Sequence, residues 1–485
     1  MKGNDNGAKG HVSQNPNIQK IHDGSMQILE KTGMIFHHPD AIKVLKEHGI
    51  KTEGNRAFFT EKQIMKYVDM APSNCKLIAR DSKYNVDFGE NRVYNAPSAG
   101  PTTIMDREGN KRPATLMDYV NMMKMYEYNP CYYINSGQMC VPTEIDAKHL
   151  SLAQHYVALL HTNKGIWTGS GTYAQMEAAI KLGCICFGAN PDEIADKPCL
   201  MNGVNTDTPL QFDINMTETL FTYLKYKQPV FIAAASMAGT TSPVTLAGTL
   251  AVANAEVIAV VALSEMYSPG SPVLYGSQTA IADMSTCAIA IGSAEAALCY
   301  KYCAELARFY GLPSRGGGAL TDAKALNAQA GYESMLTYYA CKSNHINLIL
   351  QSSGIMESYL CASFEKMVVD FEIINMVNRY LEDVEINEDT LPLDVIDEVG
   401  PGGQYLLEDH TLEFCRKETY IPMLSVRGPH SDSKTLFEKN IEKQINQMIA
   451  SYQKPDIEPD TVKDMQKMLL KAGLDDDLIA YLSKY

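Results

Sequence analysis

The chain has 485 residues, 45% of them apolar and 20% charged, a composition that can bury a large core and lies outside that of disordered chains. Its 42 basic and 57 acidic side chains give a formal charge of −15, which argues against a nucleic-acid or anionic-membrane partner, because both require a basic face. The same balance leaves room for a cationic small molecule.

The opening Met1-Lys2-Gly3-Asn4-Asp5 is not followed by an apolar core, so no signal peptide is expected and the location is read as cytoplasmic. The first fifteen or so residues are polar and are expected to be mobile. Residues 17–50 carry helical apolar spacing and then a second short helix that ends at Gly49. Strand-like runs at 76–80, 91–95 and 102–105 alternate with turn clusters such as Asp106-Arg107-Glu108-Gly109-Asn110. Residues 1–115 therefore read as a mixed α+β N-terminal region.

From residue 116 the pattern becomes regular. Apolar or glycine-bearing runs at 131–138, 164–169, 199–204, 229–235, 272–277, 313–319 and 346–351 alternate with helical stretches at 172–188, 216–227, 245–267, 293–310, 328–342 and 358–381. Such alternation implies parallel strands with right-handed crossovers. Seven strands in series, with an eighth sought near 394–400, fit a TIM-type (β/α)8 barrel over residues 116–400 better than an open sheet, and no dinucleotide fingerprint opens the first unit. Residues 401–485 read as an acidic, helical C-terminal extension. The longest apolar run, 247–263, is interrupted by Asn254 and Glu256 and is too polar to read as a membrane span.

Several chemistries lack their spacing. Gly316-Gly317-Gly318 is not followed by Gly-Lys-Ser/Thr, and neither HExxH nor GxSxG occurs. Cys184 with Cys186 and Cys299 with Cys303 have no matching second pair, so all twelve cysteines read as free thiols. What does recur is a loop rich in small polar residues after strand upon strand: Ser136-Gly137-Gln138, Thr168-Gly169-Ser170-Gly171, Asn202-Gly203-Val204-Asn205, Ser236-Met237-Ala238-Gly239, Gly276-Ser277-Gln278 and Arg315-Gly316-Gly317-Gly318. In a barrel these loops share one end, where they would line a polar cavity.

Six longer segments follow in order: Ser242-Pro243-Val244-Thr245-Leu246-Ala247-Gly248, Pro272-Val273-Leu274-Tyr275-Gly276-Ser277, Gly317-Gly318-Ala319-Leu320-Thr321-Asp322-Ala323-Lys324, Ala328-Gln329-Ala330-Gly331-Tyr332-Glu333, Phe364-Glu365-Lys366 with Asp370, and Val399-Gly400-Pro401-Gly402-Gly403 before His410-Thr411-Leu412. Together they resemble the trimethylamine methyltransferase family. Because the sequence holds only standard residues where pyrrolysine would be expected, it is most similar to the non-pyrrolysine branch, which acts on quaternary amines such as glycine betaine, proline betaine, carnitine or butyrobetaine. The resemblance implies methyl transfer to the Co(I) of a corrinoid (cobalamin) carried by a cognate partner protein, no permanently bound cofactor, and a homo-oligomer, either a trimer or a hexamer. The other reading is a barrel that binds a quaternary amine as a sensor or scaffold without transfer. An aldolase-like barrel would need a Schiff-base lysine at a strand end, and none is clearly placed.

A quaternary ammonium wants aromatic faces. The candidates are Trp167, which is the sole tryptophan, and Tyr94, Tyr133, Tyr275 and Tyr332. A betaine carboxylate wants a guanidinium, for which Arg315 stands at a strand end before three glycines. Gln278, Asp322, His345 and Gln351, with Lys324 and Gln329, complete the candidate set. No catalytic side chain is assigned, since the nucleophile would arrive with the cofactor.

Overall fold

The computed structural model describes residues 13–429 and 433–485; most of the tract expected to be mobile, residues 1–12, lies outside the described residues. The architecture is mixed α/β around a seven-stranded parallel sheet. In spatial order its strands are Tyr94–Asn95, Leu348–Ile349, Ser314–Gly316, Val273–Ser277, Val230–Ala234, Leu200–Asn205 and Ile166–Trp167. The segment expected as a strand over 131–138 forms only single parallel bridges, Tyr132 to Asn95 at one edge of this sheet and Ile134 to Gly165 beside the other. The eighth strand sought near 394–400 is instead the helix Leu393–Val399. Pro392 precedes it and acidic residues at 394, 397 and 398 suit a solvated helix far better than a buried stave.

Side-chain parity divides the sheet into two cores. Trp167, Met201, Phe231, Ala233, Leu274, Leu348 and Leu350 pack together on its inner face, whereas Ile166, Leu200, Val230, Ile232, Val273 and Tyr275 join the helix layer outside. This is the two-residue period of a strand, repeated across five of the seven strands. The hairpin Cys75–Leu77 with Val86–Phe88 adds Cys75, Leu77, Val86 and Phe88 to the inner core. It lies with Tyr94 and Tyr133 at the end where the strands begin, so that end is filled.

Helix Leu246–Tyr267 is long and apolar enough to cross a membrane, but 72% of that stretch is buried inside the fold. A helix apolar all round is a core helix when protein surrounds it, and here Pro16–Lys31 and Glu61–Val68 pack against it. The two polar residues that interrupt it have partners. Asn254 donates to the Ser25 and Tyr310 hydroxyls and accepts from Tyr275. Glu256 accepts from Thr206 at 2.5 Å, Thr208 at 2.9 Å and the Leu210 amide at 2.7 Å, pinning the loop after Leu200–Asn205. That loop continues as strand Gln211–Phe212, which pairs in parallel with Met34–Phe36 of the N-terminal region.

Two buried histidines make stability depend on pH. Burial depresses His155, bonded to the Ala179 carbonyl at 3.1 Å, to about 4, and His161, beside Tyr452, to about 3. Each folded pKa lies below the unfolded value near 6.5, so the unfolded chain binds more protons in acid. Stability is therefore complete above about pH 6.5 and is lost as pH falls toward 4, by on the order of 2 kcal/mol per histidine at pH 5. Urea midpoints at pH 7 and pH 5 should show this drop, and His155→Gln should flatten it; an unchanged midpoint would remove these histidines from the acid response.

Candidate functional site

At the C-terminal ends of the strands lies a cavity of about 360 Å³. Two grooves of about 580 Å³ are larger, one between helices and lined by Asp40, Lys43, Glu47 and Lys225, the other beside the N-terminal strands and lined by Phe36, Pro39 and Asn55, and neither includes a residue of the seven-stranded sheet. The strand-end cavity is lined by Trp167, Phe231, Arg315, Gln278, Gln351 and Asn205, with Gln138, Met216 and the small residues of the polar loops.

Glycine shapes the aromatic wall. A Cβ on Gly203 would lie 1.9 Å from Phe231 Cζ, and one on Gly137 would lie 2.2 Å from Trp167 Cε3. The two rings occupy the volume these residues leave free, tilted against each other with centroids 5.8 Å apart. Trp167 is 8% exposed and its indole N–H has no hydrogen-bond partner.

Arg315 lies against the Phe231 side of this wall, 1% exposed. Its Nη1 donates to the Ser277 carbonyl at 3.0 Å, its guanidinium lies 5.1 Å from the Phe231 ring centroid, and its Nε has no partner. Among the described residues it forms no ion pair, and burial pushes its pKa down from the ordinary value. A guanidinium does not lose its proton in proteins, so the charge stays, and within the described residues its desolvation is offset only by the Ser277 carbonyl and the Phe231 face. Beside it, Gln278 Nε2 donates to Gln351 Oε1 at 2.8 Å. Gln351 is held in left-handed backbone at φ 56°, with its amide nitrogen bonded to the Pro97 carbonyl. Arg315 is the only ionisable side chain in the lining.

Of the sequence candidates, Trp167, Arg315, Gln278 and Gln351 thus meet in one cavity. The others stand elsewhere. Tyr94 and Tyr133 contact each other at the opposite, filled end. Tyr275 has the outward parity and bonds Asn254 in the helix layer. Tyr332 is 63% exposed on the outside of helix Ala328–Ser343, and His345 is exposed where the next strand begins. Lys324 is also exposed. Asp322 accepts from the amides of Ile291 and Gly292 and the Ser358 hydroxyl, so it ties loops together. Gln329 donates to Glu333, whose other oxygen accepts from Thr321 and the Asp322 amide. Gln138 and Asn205 belong to the polar loops expected to line the cavity, whereas Phe231 and Met216 were not anticipated; the signal that could have found Phe231 is its inward parity beside glycine at 203.

The motif pair Lys366 and Asp370 also proves to be scaffolding. The ammonium and carboxylate, both fully buried, meet at 2.6 Å. Lys366 further donates to the Ala319 carbonyl and Asp370 accepts from the Gly354 amide at 2.7 Å. Burial works against both charges, lowering Lys366 and raising Asp370 to about 6. The pair fastens the loops after strands Ser314–Gly316 and Leu348–Ile349, which carry Arg315 and Gln351.

The model of the trimethylamine methyltransferase (MTTB) family matches residues 5–472. A glycine betaine methyltransferase of Desulfitobacterium hafniense (strain Y51) is 35% identical over 94% of this chain and 96% of its own length. A trimethylamine methyltransferase of Methanosarcina thermophila is 27% identical over 95% and 97%. The crystal structure of the Methanosarcina barkeri monomethylamine methyltransferase shares the fold, with a TM-score of 0.51 at 12% identity over 91% of this chain and 90% of that one. The architecture, the order of the motifs and these relatives agree: the chain belongs to the trimethylamine methyltransferase family and is a methyltransferase.

Proposed function

We propose that the protein takes a methyl group from a carboxylate-bearing quaternary amine, glycine betaine first, and passes it to the corrinoid of a separate protein. One observation carries the substrate class: a fully buried guanidinium without an ion pair, in a cavity walled by Trp167. A carboxylate at Arg315 would neutralise it and satisfy its free Nε with a charge-assisted bond. One face of Phe231 is already covered by that guanidinium, which leaves the Trp167 ring as the aromatic surface for the ammonium end. The relative that is 35% identical is named for glycine betaine.

The lining also suits a quaternary rather than a protonated amine. When the N–CH₃ bond breaks, its electron pair stays on nitrogen and a neutral tertiary amine leaves, so no proton donor is needed. The cavity contains no Asp, Glu, His, Lys, Cys or Tyr that could supply one. The corrinoid, when docked, supplies the nucleophile that accepts the methyl group. A cavity of about 360 Å³ suits a small donor, and the corrinoid is carried to it by the separate protein. Val244, Met284 and Leu360, all exposed on loops at this end, offer that protein an apolar landing. The chain's part is to bind the donor by both ends, aim one methyl outward and keep water from the carboxylate. We infer too that residues 132–134 are the eighth stave of a closed (β/α)8 barrel, because their bridges reach Asn95 on one side and Gly165 on the other.

The test is incubation with a reduced corrinoid protein and a panel of glycine betaine, proline betaine, carnitine and tetramethylammonium. The expected result is loss of the reduced corrinoid's absorbance with release of dimethylglycine from glycine betaine. Binding of betaines by calorimetry without demethylation of any would overturn the reading in favour of a sensor.

A further inference from the structure

Helix Phe364–Leu381 ends at the face opposite the cavity, where Asn375 and Asn378 approach the Cys131 thiol just before the 132–134 segment. From there the chain leaves as an arm. No residue between Leu381 and Met423 is buried, and the arm's two helices, Leu393–Val399 and Asp409–Glu418, bury no side chain. Nine large apolar side chains from Tyr380 to Ile421 are at least half exposed, Leu407 at 92% and Leu412 at 78%. Helices this short do not persist in water unless an apolar face is covered. At roughly 60–120 Å² of apolar surface apiece, the nine carry on the order of 800 Å², which is what one side of a standard protein interface buries.

A second uncovered surface lies on the same chain. Tyr332, Leu336 and Tyr339 follow one another at i, i+4 and i+7 on the outer face of helix Ala328–Ser343, the first two exposed, with exposed Leu298 on the neighbouring helix. Tyr339 meets Tyr380 with ring centroids 5.7 Å apart, so this stripe runs to the root of the arm. Charge says which surface meets which. Residues 382–421 hold twelve acidic and two basic side chains, so two arms laid together would repel, whereas the stripe's two helices balance Glu295, Glu305 and Glu333 with Lys301, Arg308 and Lys342.

We propose that the arm is a clasp between two copies of this chain: the arm of one lies along the Tyr332–Leu336–Tyr339 stripe of the other, and the reverse. Because stripe and root adjoin at Tyr380, a two-fold axis beside that residue closes both contacts together. The arm leaves at the end opposite the cavity, so a corrinoid-bearing protein that reaches the cavity does not cover the arm's root at Tyr380. The clasp is independent of which amine is the methyl donor.

Light scattering on the full 53.6 kDa chain at about 10 μM should give two chains or an even multiple, a hexamer included. Leu406→Asp with Leu407→Asp, and separately Tyr332→Asp with Leu336→Asp, should each reduce the mass while the circular dichroism stays native. A second measurement needs no variant. After lysine cross-linking of a mixture of unlabelled and 15N-labelled chain, a mixed-label peptide joining Lys417 to Lys301 or Lys342 should be recovered from the two-chain band of a denaturing gel, because Glu418 already meets Arg379 within one chain and only the mixed label reports a contact between chains. A single-chain or three-chain mass, or those peptides only without the mixed label, overturns the clasp.

Discussion

Arg315→Gln is expected to lower kcat/KM for glycine betaine by about 10²–10³-fold, while turnover of tetramethylammonium changes by less than about threefold. The asymmetry follows from the geometry. Removing one partner of a buried charge pair costs roughly 2–5 kcal/mol, and only a donor with a carboxylate forms the pair. Tetramethylammonium loses nothing at that position and is relieved of one like charge. The same change should leave the unfolding midpoint unchanged or raised, because in the free protein the guanidinium is buried with one carbonyl bond and no counter-charge. Steady-state rates on both donors, with a urea titration of each protein, decide the matter. Equal loss on both donors with a lowered midpoint would assign Arg315 to the fold.

Asp370→Ala should cost about 3–5 kcal/mol of stability, the largest loss expected from any single change outside the cavity. It strands the Lys366 ammonium, fully buried and left with the Ala319 carbonyl, and takes the acceptor from the Gly354 amide. The double change Lys366→Met with Asp370→Leu should recover most of the loss, since an apolar pair of similar volume removes both desolvation costs. Denaturant midpoints of the three proteins measure this, and a double variant no better than Asp370→Ala would deny the pair its present description. The recovered double variant should still bind less well, because the two loops it untethers position Arg315 and Gln351.

The alternation of strand and helix from residue 164 to 351 was legible because each inner run is apolar, short and ended by glycine or serine, signals that survive without any partner in view. The two margins of the sheet are less legible for a physical reason. The run at 91–95 reads as a strand of the N-terminal region, because Tyr94–Asn95 is two residues long and sits among turns, and the strand expected over 131–138 makes single bridges only. The eighth strand was sought at 394–400, where the acidic charges and Pro392 suit the exposed helix that forms. In the site, Arg315, Gln278 and Gln351 were reached by position at strand ends and Trp167 by residue type. Choosing aromatics by type alone then failed for Tyr275, because neighbouring strand residues face opposite ways and Leu274 took the inner place. Phe231 escaped for the converse reason: nothing within its own strand marks it, and the space it fills is made by glycine at 203, one strand away.

The short strand Gln211–Phe212 bears on how this enzyme can change over evolutionary time. It joins the N-terminal sheet, with Phe212 opposite Phe36, and it lies between two contributors to the cavity wall, Asn205 and Met216. A lineage adapting to a bulkier donor could therefore reshape the wall by substitutions around Phe36, some 170 residues earlier in the chain, without altering a lining residue. Inheritance of the N-terminal region and the seven-stranded sheet is tied by the same strand: a recombination joining halves from two relatives would bring together a wall and a brace that had not been selected as a pair.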